Sequence, residues 1–192
     1  MNLPNKLTLS RIILTFIFVY FISQDGLVPM LIAAIVFCVA AFTDFADGYI
    51  AKKYQLVSDF GKLMDPIADK FLVLAAFLSF VRMNFVEVWM VVLILGREIV
   101  VTGFRIFAIT KGQVIAAERA GKHKTISQMV AIFVILGFII FRESLTASSR
   151  WSETIEMWWK CGIDILMLVT VALTIMSGLS YLWNNRKLIR VQ

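Results

Sequence analysis

The stretch from Asp44 to Lys70 reads DFADGYIAKKYQLVSDFGKLMDPIADK and is followed at once by the apolar segment FLVLAAF, residues 71–77. Four of its aspartates, Asp44, Asp47, Asp65 and Asp69, lie where one apolar segment ends and the next begins. Carboxylates near a membrane interior are costly without cations, and they usually mark a functional site. This stretch therefore decides both the fold class and the function that the sequence predicts.

The composition of the chain indicates a membrane protein. The chain has 192 residues, of which 60% are hydrophobic and only 17% are charged. Long runs such as Leu27–Phe42 and Ile126–Phe141 contain no acidic or basic residue. A soluble domain of this size would be less apolar and richer in charge. We therefore predict an all-α integral membrane protein with little soluble mass.

The apolar runs predict six transmembrane helices, preceded by a short interfacial helix at the amino terminus. About 20 apolar residues are needed to cross the hydrocarbon layer. The second predicted span is longer than this, so its last turns should project into water. The predicted spans are Leu7–Ile22, Leu27–Tyr54, Gly61–Phe80, Val88–Ile109, Lys124–Phe141 and Ile163–Trp183, and the interfacial helix covers Asn2–Ser10.

The distribution of basic residues predicts the orientation. An even number of spans places both termini on one side, and lysine and arginine are enriched on the cytoplasmic side of membranes. The opposite loops have few basic residues, which are offset by acids. We therefore expect both termini and the aspartate stretch to face the cytoplasm. The net charge of +6 then favours anionic lipids and substrates over nucleic acid. The basic flanks on the predicted cytoplasmic side are Lys6, Lys52, Lys53, Lys62, Lys111, Arg119, Lys122, Lys124, Arg186, Lys187 and Arg190.

The spacing of the four aspartates predicts a metal site. Asp44 and Asp47 are three residues apart, and Asp65 and Asp69 are four apart, so each pair shares a helix face. Two antiparallel spans joined by a short loop can bring these faces together. One like-charge pair at about 4 Å costs roughly 4 kcal/mol at an effective dielectric constant of 20. Protonation or metal binding must relieve this repulsion, and oxygen ligands select hard cations, so we expect two Mg²⁺ or Mn²⁺ ions.

The same residues carry a family resemblance. The stretch resembles the signature of the CDP-alcohol phosphatidyltransferases, Asp-x2-Asp-Gly-x2-Ala-Arg-x8-Gly-x3-Asp-x3-Asp. Lys52 is the single departure, because the family pattern has arginine there; it keeps the charge but loses the planar fork of a guanidinium. The matching residues, with all spacings kept, are Asp44, Asp47, Gly48, Ala51, Gly61, Asp65 and Asp69.

The resemblance implies a single transmembrane domain over residues 1–192, forming a homodimer with a cytoplasmic active site among membrane lipids. It implies transfer of a phosphatidyl group from CDP-diacylglycerol to an alcohol, with release of CMP. Asp69 would act as general base and would also join the other three aspartates as a metal ligand. The implied donor-binding residues are Asn5, Thr8, Arg11, Gly48, Lys52 and Gly61.

Two further regions indicate the acceptor alcohol. Arg97 and Arg105 lie in the fourth span, where arginine is costly unless it is paired or faces a polar cavity. The segment from Ala117 to Thr125 adds further basic residues beside the same predicted surface. An acceptor that bears a phosphate would use these cations. The expected acceptor-phosphate ligands are Arg97, Arg105, Arg119, Lys122 and Lys124.

The stretches NLPNKLTLSRI (2–12), GREIVVTGFR (96–105) and GKHKTISQM (121–129) resemble the branch of the family that uses sn-glycerol 3-phosphate. That resemblance implies phosphatidylglycerophosphate as the product. Other acceptors stay open, namely inositol phosphate, or phosphatidylglycerol to give cardiolipin. Two further alternatives belong to other classes of membrane protein. An intramembrane prenyltransferase would have more than six spans. A cation transporter would carry acids across the middle of the bilayer, whereas the four aspartates crowd one end.

Overall fold

A computed structural model of the chain describes the backbone of residues 3–54, 59–110, 119–147 and 152–186. It describes the side chains of residues 9–43, 70–108, 123–146 and 152–186. All regular secondary structure in these ranges is helical, as predicted. The six helices are α1 (Leu3–Ile22), α2 (Leu27–Tyr54), α3 (Asp59–Arg82), α4 (Val88–Thr110), α5 (Arg119–Ala147) and α6 (Glu153–Asn184).

Two of these helices are long and apolar enough to cross a membrane over their described parts, His123–Thr146 of α5 and Glu153–Asn184 of α6. Shorter apolar segments occupy Leu9–Ile22 of α1 and Leu27–Thr43 of α2. The six predicted spans thus coincide with six helices, and the number that crosses a membrane stays a prediction.

The amino-terminal region is helical, as predicted. The short helix expected over Asn2–Ser10 leads into the first span without a break, because α1 is one uninterrupted helix from Leu3 to Ile22. Its interfacial position stays a prediction. Pro4 lies in its first turn, where the missing N–H is tolerated. No glycine or proline follows until after Ile22, so the sequence has nothing that would end the helix earlier.

Helices α5 and α6 begin earlier than predicted, at Arg119 and at Glu153. The start of α6 is stabilised by Ser152, whose side chain accepts a hydrogen bond from the backbone N–H of Ile155 at 3.4 Å. Glu153 and Glu156 add negative charge to the first turn, where it interacts favourably with the helix dipole. The polar residues before the predicted fifth and sixth spans therefore form helical turns and not connecting loops.

The helices pack in two connected groups. Helix α1 packs against α2 and α3, and α6 packs against α4 and α5. Phenylalanine rings fill the core, with Phe18 and Phe37 at 5.5 Å between ring centroids and Phe85 and Phe138 at 5.4 Å. These pairs are tilted or edge-to-face, a favourable geometry for aromatic rings.

The outer faces of the helices also carry large apolar side chains. Phe42 is 71% exposed, Ile99 is 71% exposed and Trp158 is 70% exposed. Similar exposed residues occur along every one of the six helices. Soluble monomers rarely expose contiguous apolar surface of this kind. The outer surface is therefore suited to contact with lipid chains.

Candidate functional site

The predicted metal ligands lie on α2 and α3. Asp44 and Asp47 belong to α2, and Asp65 and Asp69 belong to α3, so the backbone has the helical spacing that the prediction requires. Their side chains lie outside the described residues. Among the side chains that the structure does describe, no group of three or more histidine, cysteine, aspartate or glutamate residues could hold a metal. The donor set of four carboxylates suits Mg²⁺ or Mn²⁺ by its chemistry.

Most of the predicted donor-binding side chains also fall outside the described residues: Asn5, Thr8, Gly48, Lys52 and Gly61. Arg11 is described, and its side chain is only 1% exposed. It lies on α1, which packs against the two helices that carry the aspartates. The hydroxyl of Thr15 donates to the backbone carbonyl of Arg11 at 2.8 Å. An inward-facing arginine on this helix is compatible with the predicted donor site.

A cluster of charged side chains joins α3, α4 and α5. One carboxylate, that of Glu98, contacts three cations. Its Oε1 forms an ion pair with the buried Lys124 and lies 3.2 Å from an Nη1 of Arg97. Its Oε2 lies 3.8 Å from Nζ of Lys70, which also donates to the hydroxyl of Thr102. Among the described side chains, this cluster therefore joins three cations to one carboxylate.

A cavity of about 650 Å³ lies beside this cluster, between α3, α4 and α5. Its volume is typical of a site for a small molecule or a cofactor. Lys70, Glu98, Thr102, Lys124 and Gln128 supply polar atoms to its wall. The rest of the wall is mostly apolar, from Phe71, Val73, Leu74, Phe77, Val91, Ile94, Leu95, Ile99 and Ile106.

Two of the predicted acceptor ligands have different surroundings. Arg97 is turned towards α6, where an Nη2 donates to the hydroxyl of Ser177 at 2.8 Å. A Cβ added at Gly178 would lie 2.8 Å from Cγ of Arg97, so this glycine leaves the space that the arginine occupies. Arg105 is exposed, one residue beyond Phe104, whose ring meets that of Tyr181 edge-to-face at 6.0 Å. The contacts of Arg97 are those of a packing residue, whereas Arg105 is accessible to a ligand.

The other predicted acceptor ligands lie on α5. The fifth span was predicted to begin at Lys124, which left Arg119 and Lys122 in the connector before it, but α5 begins at Arg119 and includes all three. That boundary is wrong because the charged residues were taken as part of the connector, although no proline follows residue 119 to interrupt a helix. The side chains of Arg119 and Lys122 lie outside the described residues, and Lys124 is held by Glu98.

The sequence prediction missed Lys70, Thr102 and Gln128. A signal for them exists, because Glu98 and Thr102 are four residues apart on α4, as are Lys124 and Gln128 on α5. Polar residues at this spacing share a helix face. In an apolar helix such a pair indicates a buried polar surface. Which helices face one another could not be read from these spacings.

Comparisons with known proteins agree with the motif. The model of the family described as CDP-alcohol phosphatidyltransferase matches residues 1–176. A Bacillus subtilis protein named CDP-diacylglycerol--glycerol-3-phosphate 3-phosphatidyltransferase is 36% identical over 196 aligned positions, covering 96% of this chain and 95% of that protein. Proteins of the same name from Rickettsia typhi and Salmonella choleraesuis are each 34% identical, covering 94% of this chain and 94% and 93% of their own lengths.

The family match and the apolar helices together indicate that the chain is associated with a membrane. Members of the matched family generally depend on divalent metal ions. The match also decides between the classes left open by the sequence, in favour of a transferase over a transporter.

Proposed function

The chain belongs to the CDP-alcohol phosphatidyltransferase family, and we propose that it transfers the phosphatidyl group of CDP-diacylglycerol to sn-glycerol 3-phosphate. The products are phosphatidylglycerophosphate and CMP. The observation that carries the proposal is the aspartate motif on α2 and α3, with all seven matching residues at the family spacing. The names of the similar proteins from three bacteria supply the donor and the acceptor.

The four aspartates would hold two divalent ions, Mg²⁺ or Mn²⁺. When bound, such ions neutralise the pyrophosphate and polarise the reacting phosphoryl group. Asp44 and Asp47 would approach from α2, and Asp65 and Asp69 from α3. A donor set made only of carboxylates supports hard divalent cations over zinc.

Asp69 would also act as general base in a direct displacement. It accepts the proton of the primary hydroxyl of glycerol 3-phosphate, and that oxygen attacks the phosphorus that bears the diacylglycerol. The bond from this phosphorus to the bridging oxygen breaks, and CMP leaves with that oxygen. A carboxylate can perform this step when it lies within hydrogen-bond reach of the hydroxyl.

The donor nucleotide would be bound beside the metals. We assign Asn5, Thr8 and Arg11 on α1, with Gly48, Lys52 and Gly61 near the aspartates, to this role. The burial of Arg11 within the group formed by α1, α2 and α3 supports the assignment. Lys52 would supply charge to a phosphate without the two-pronged geometry of arginine.

The acceptor phosphate would be bound by cations from α4 and α5. Arg105 is the best supported of these because it is exposed. Lys124 lies in the wall of the cavity with Glu98 as a counter-ion. We also assign Arg119 and Lys122 to this phosphate. Arg97 remains a candidate, although its described contacts favour a role in packing α4 against α6.

We further propose that all six helices cross the membrane and that both termini and the active site face the cytoplasm. The excess of basic residues on one set of flanks supports this orientation. The protein would act as a homodimer among membrane lipids. The lipid tails of the donor can then stay in the bilayer while its headgroup enters the site.

The proposed reaction is tested by CMP release from purified protein in detergent. The assay supplies CDP-diacylglycerol with glycerol 3-phosphate, inositol phosphate or phosphatidylglycerol as separate acceptors. We expect CMP release with glycerol 3-phosphate, its loss in EDTA, and recovery when Mg²⁺ or Mn²⁺ is added back. Turnover with another acceptor alone, or full activity in EDTA, would contradict the proposal.

The role of Asp69 is tested by Asp69→Asn, which keeps an oxygen ligand but removes the base. We expect CMP release to fall to background while donor binding is largely kept. Asp59→Asn serves as the control, because Asp59 begins α3 but is not part of the motif. Normal turnover by Asp69→Asn would remove this residue as the base.

A further inference from the structure

We propose that Gln128 determines specificity for the acceptor: its buried amide donates a hydrogen bond to the secondary hydroxyl of sn-glycerol 3-phosphate while the primary hydroxyl reacts. The inference rests on the proposed function, because that function makes glycerol 3-phosphate the acceptor. It goes beyond that function by naming a residue that recognises the part of the acceptor that neither reacts nor carries charge.

The amide of Gln128 is buried in the wall of the cavity between α3, α4 and α5. The residue is 4% exposed and lines this cavity. Its Nε2 has no hydrogen-bond partner among the described residues. A buried donor without a partner is costly, so an acceptor oxygen of a ligand in the cavity would be favoured beside it. Most of the surrounding wall is apolar, and a hydrogen bond is stronger where little water is present.

Two cations that we assign to the acceptor phosphate each have a polar residue of the cavity wall one turn away. Gln128 follows Lys124 by four residues on α5, and Thr102 precedes Arg105 by three on α4. Residues at these spacings share a helix face. One turn corresponds to about 6 Å along the helix, which a three-carbon chain can span. An acceptor whose phosphate contacts these cations would therefore place its carbon chain beside Gln128.

The proposed base adjoins the same cavity. Lys70 lines the cavity and directly follows Asp69 on α3. Its Nζ donates to the hydroxyl of Thr102, so the residue beside the base contacts the wall on α4. In glycerol 3-phosphate the secondary hydroxyl lies between the phosphate and the primary hydroxyl that reacts. A hydrogen bond from Gln128 to it would hold the carbon chain in place and orient the primary hydroxyl towards Asp69.

A neutral amide is suited to recognising a hydroxyl. The hydroxyl oxygen accepts from the amide N–H and still has its own proton to donate. A site that binds a substrate hydroxyl in this way discriminates against analogues that lack it. The residues that we assign to the donor nucleotide lie on α1, on α2 and at the start of α3, and none of them lies on α5. The position of Gln128 on α5 therefore favours the acceptor over the donor as its ligand.

A pair of acceptors tests this contact. The analogue 3-hydroxypropyl phosphate keeps the phosphate and the primary hydroxyl of glycerol 3-phosphate but lacks the secondary hydroxyl. CMP release from CDP-diacylglycerol is measured with each acceptor. We expect Gln128→Leu to lower kcat/KM for glycerol 3-phosphate about fivefold, the effect of one hydrogen bond. The value for the analogue and the KM for CDP-diacylglycerol should stay nearly unchanged, so the preference for glycerol 3-phosphate falls about fivefold.

Two further variants and the wild-type protein serve as controls. Gln128→Met keeps the length of the side chain but has no donor, and it should lose the same preference. Gln24→Leu makes the same chemical change at an exposed residue outside the cavity wall, and it should change neither value. The wild-type protein should itself prefer glycerol 3-phosphate over the analogue by at least about fivefold, a comparison that does not depend on a variant that folds.

The outcomes separate the two proposals. Equal losses with both acceptors in Gln128→Leu, or a wild-type protein that does not distinguish the two acceptors, would overturn the role of Gln128. A raised KM for CDP-diacylglycerol with an unchanged acceptor preference would also overturn it, because the amide would then contact the donor. A wild-type protein that releases no CMP with either acceptor would instead overturn the proposed function.

Discussion

Helix α4 has two sides that serve different purposes. Towards α6 it is closed, because Arg97 reaches Ser177 and occupies the space beside Gly178. Towards α3 and α5 it is open, and a cavity of about 650 Å³ separates the helices beside Glu98. Arg97 lies on the closed side and its neighbour Glu98 on the open side, because successive residues on a helix point about 100° apart. One side of α4 therefore fixes the fold, while the other leaves room for a ligand.

The largest expected effect is on the open side. Replacing Glu98 with methionine removes a carboxylate that pairs with the buried Lys124, and we expect this to cost about 3 kcal/mol of stability. For a chain of this size that corresponds to a fall in Tm of about 6–12 °C. Thermal unfolding in detergent measures the change.

A double variant sharpens this test. Glu98→Met with Lys124→Met removes the buried pair together, so its Tm should exceed that of Glu98→Met alone. If the double variant is less stable than the single one, Glu98 does not act chiefly through Lys124.

The second prediction compares two arginines on the same helix. Arg105→Ala should raise the KM for glycerol 3-phosphate about tenfold, because a charged hydrogen bond to phosphate contributes about 1.5–3 kcal/mol. It should leave Tm nearly unchanged, since Arg105 is exposed. Arg97→Ala should instead lower Tm by about 4–8 °C through the lost contacts with α6. Steady-state kinetics and thermal unfolding of both variants measure these effects. A raised KM for Arg97→Ala together with a lowered Tm for Arg105→Ala would mean that the two arginines have the opposite roles.

The third prediction concerns the closed side. Gly178→Ala places a Cβ 2.8 Å from Cγ of Arg97, so we expect a loss of about 1–2 kcal/mol in the free energy of unfolding. Gly162→Ala on the same helix has open space around the added Cβ and should be neutral or stabilising. Equal stability of the two variants in denaturant unfolding would mean that α4 and α6 are not closely packed.

The smallest effect is expected at Gln128. Replacement by leucine removes a buried amide that has no partner for its Nε2 among the described residues, so the Tm should not fall. If the amide donates to a bound substrate, kcat/KM for CMP release should fall about fivefold, the effect of one hydrogen bond. An unchanged kcat/KM would show that Gln128 does not contact the substrate.

The sequence predicted the helices better than their ends. Long apolar runs gave six helices at the observed places because burial and lipid contact both require apolar side chains. The starts of α5 and α6 were missed because charged and polar residues occupy their first turns. Ser152 followed by two glutamates is a helix-start signal, and recognising it would have placed the beginning of α6 correctly.

The candidate site could be predicted only where one segment contains it. The aspartate motif lies within 26 residues, so spacing alone indicates its chemistry. Glu98 pairs with Lys70 of α3 and Lys124 of α5 as well as with its neighbour Arg97. Spacing alone would equally have suggested Arg105, which lies seven residues from Glu98 on the same helix. A cavity depends on how three helices meet, which no single helix determines.

Helix α2 is unbroken over 28 residues, from Leu27 to Tyr54, and is therefore about 42 Å long. Asp44 lies about 25 Å from its first residue, close to the thickness of a hydrocarbon layer of about 30 Å. If α2 crosses the membrane as proposed, one way for a helix of this length to accommodate a thicker or thinner membrane is to tilt. Tilting would change the height of Asp44 and Asp47 relative to the lipid headgroups, so we expect turnover to respond to the chain length of the surrounding lipids.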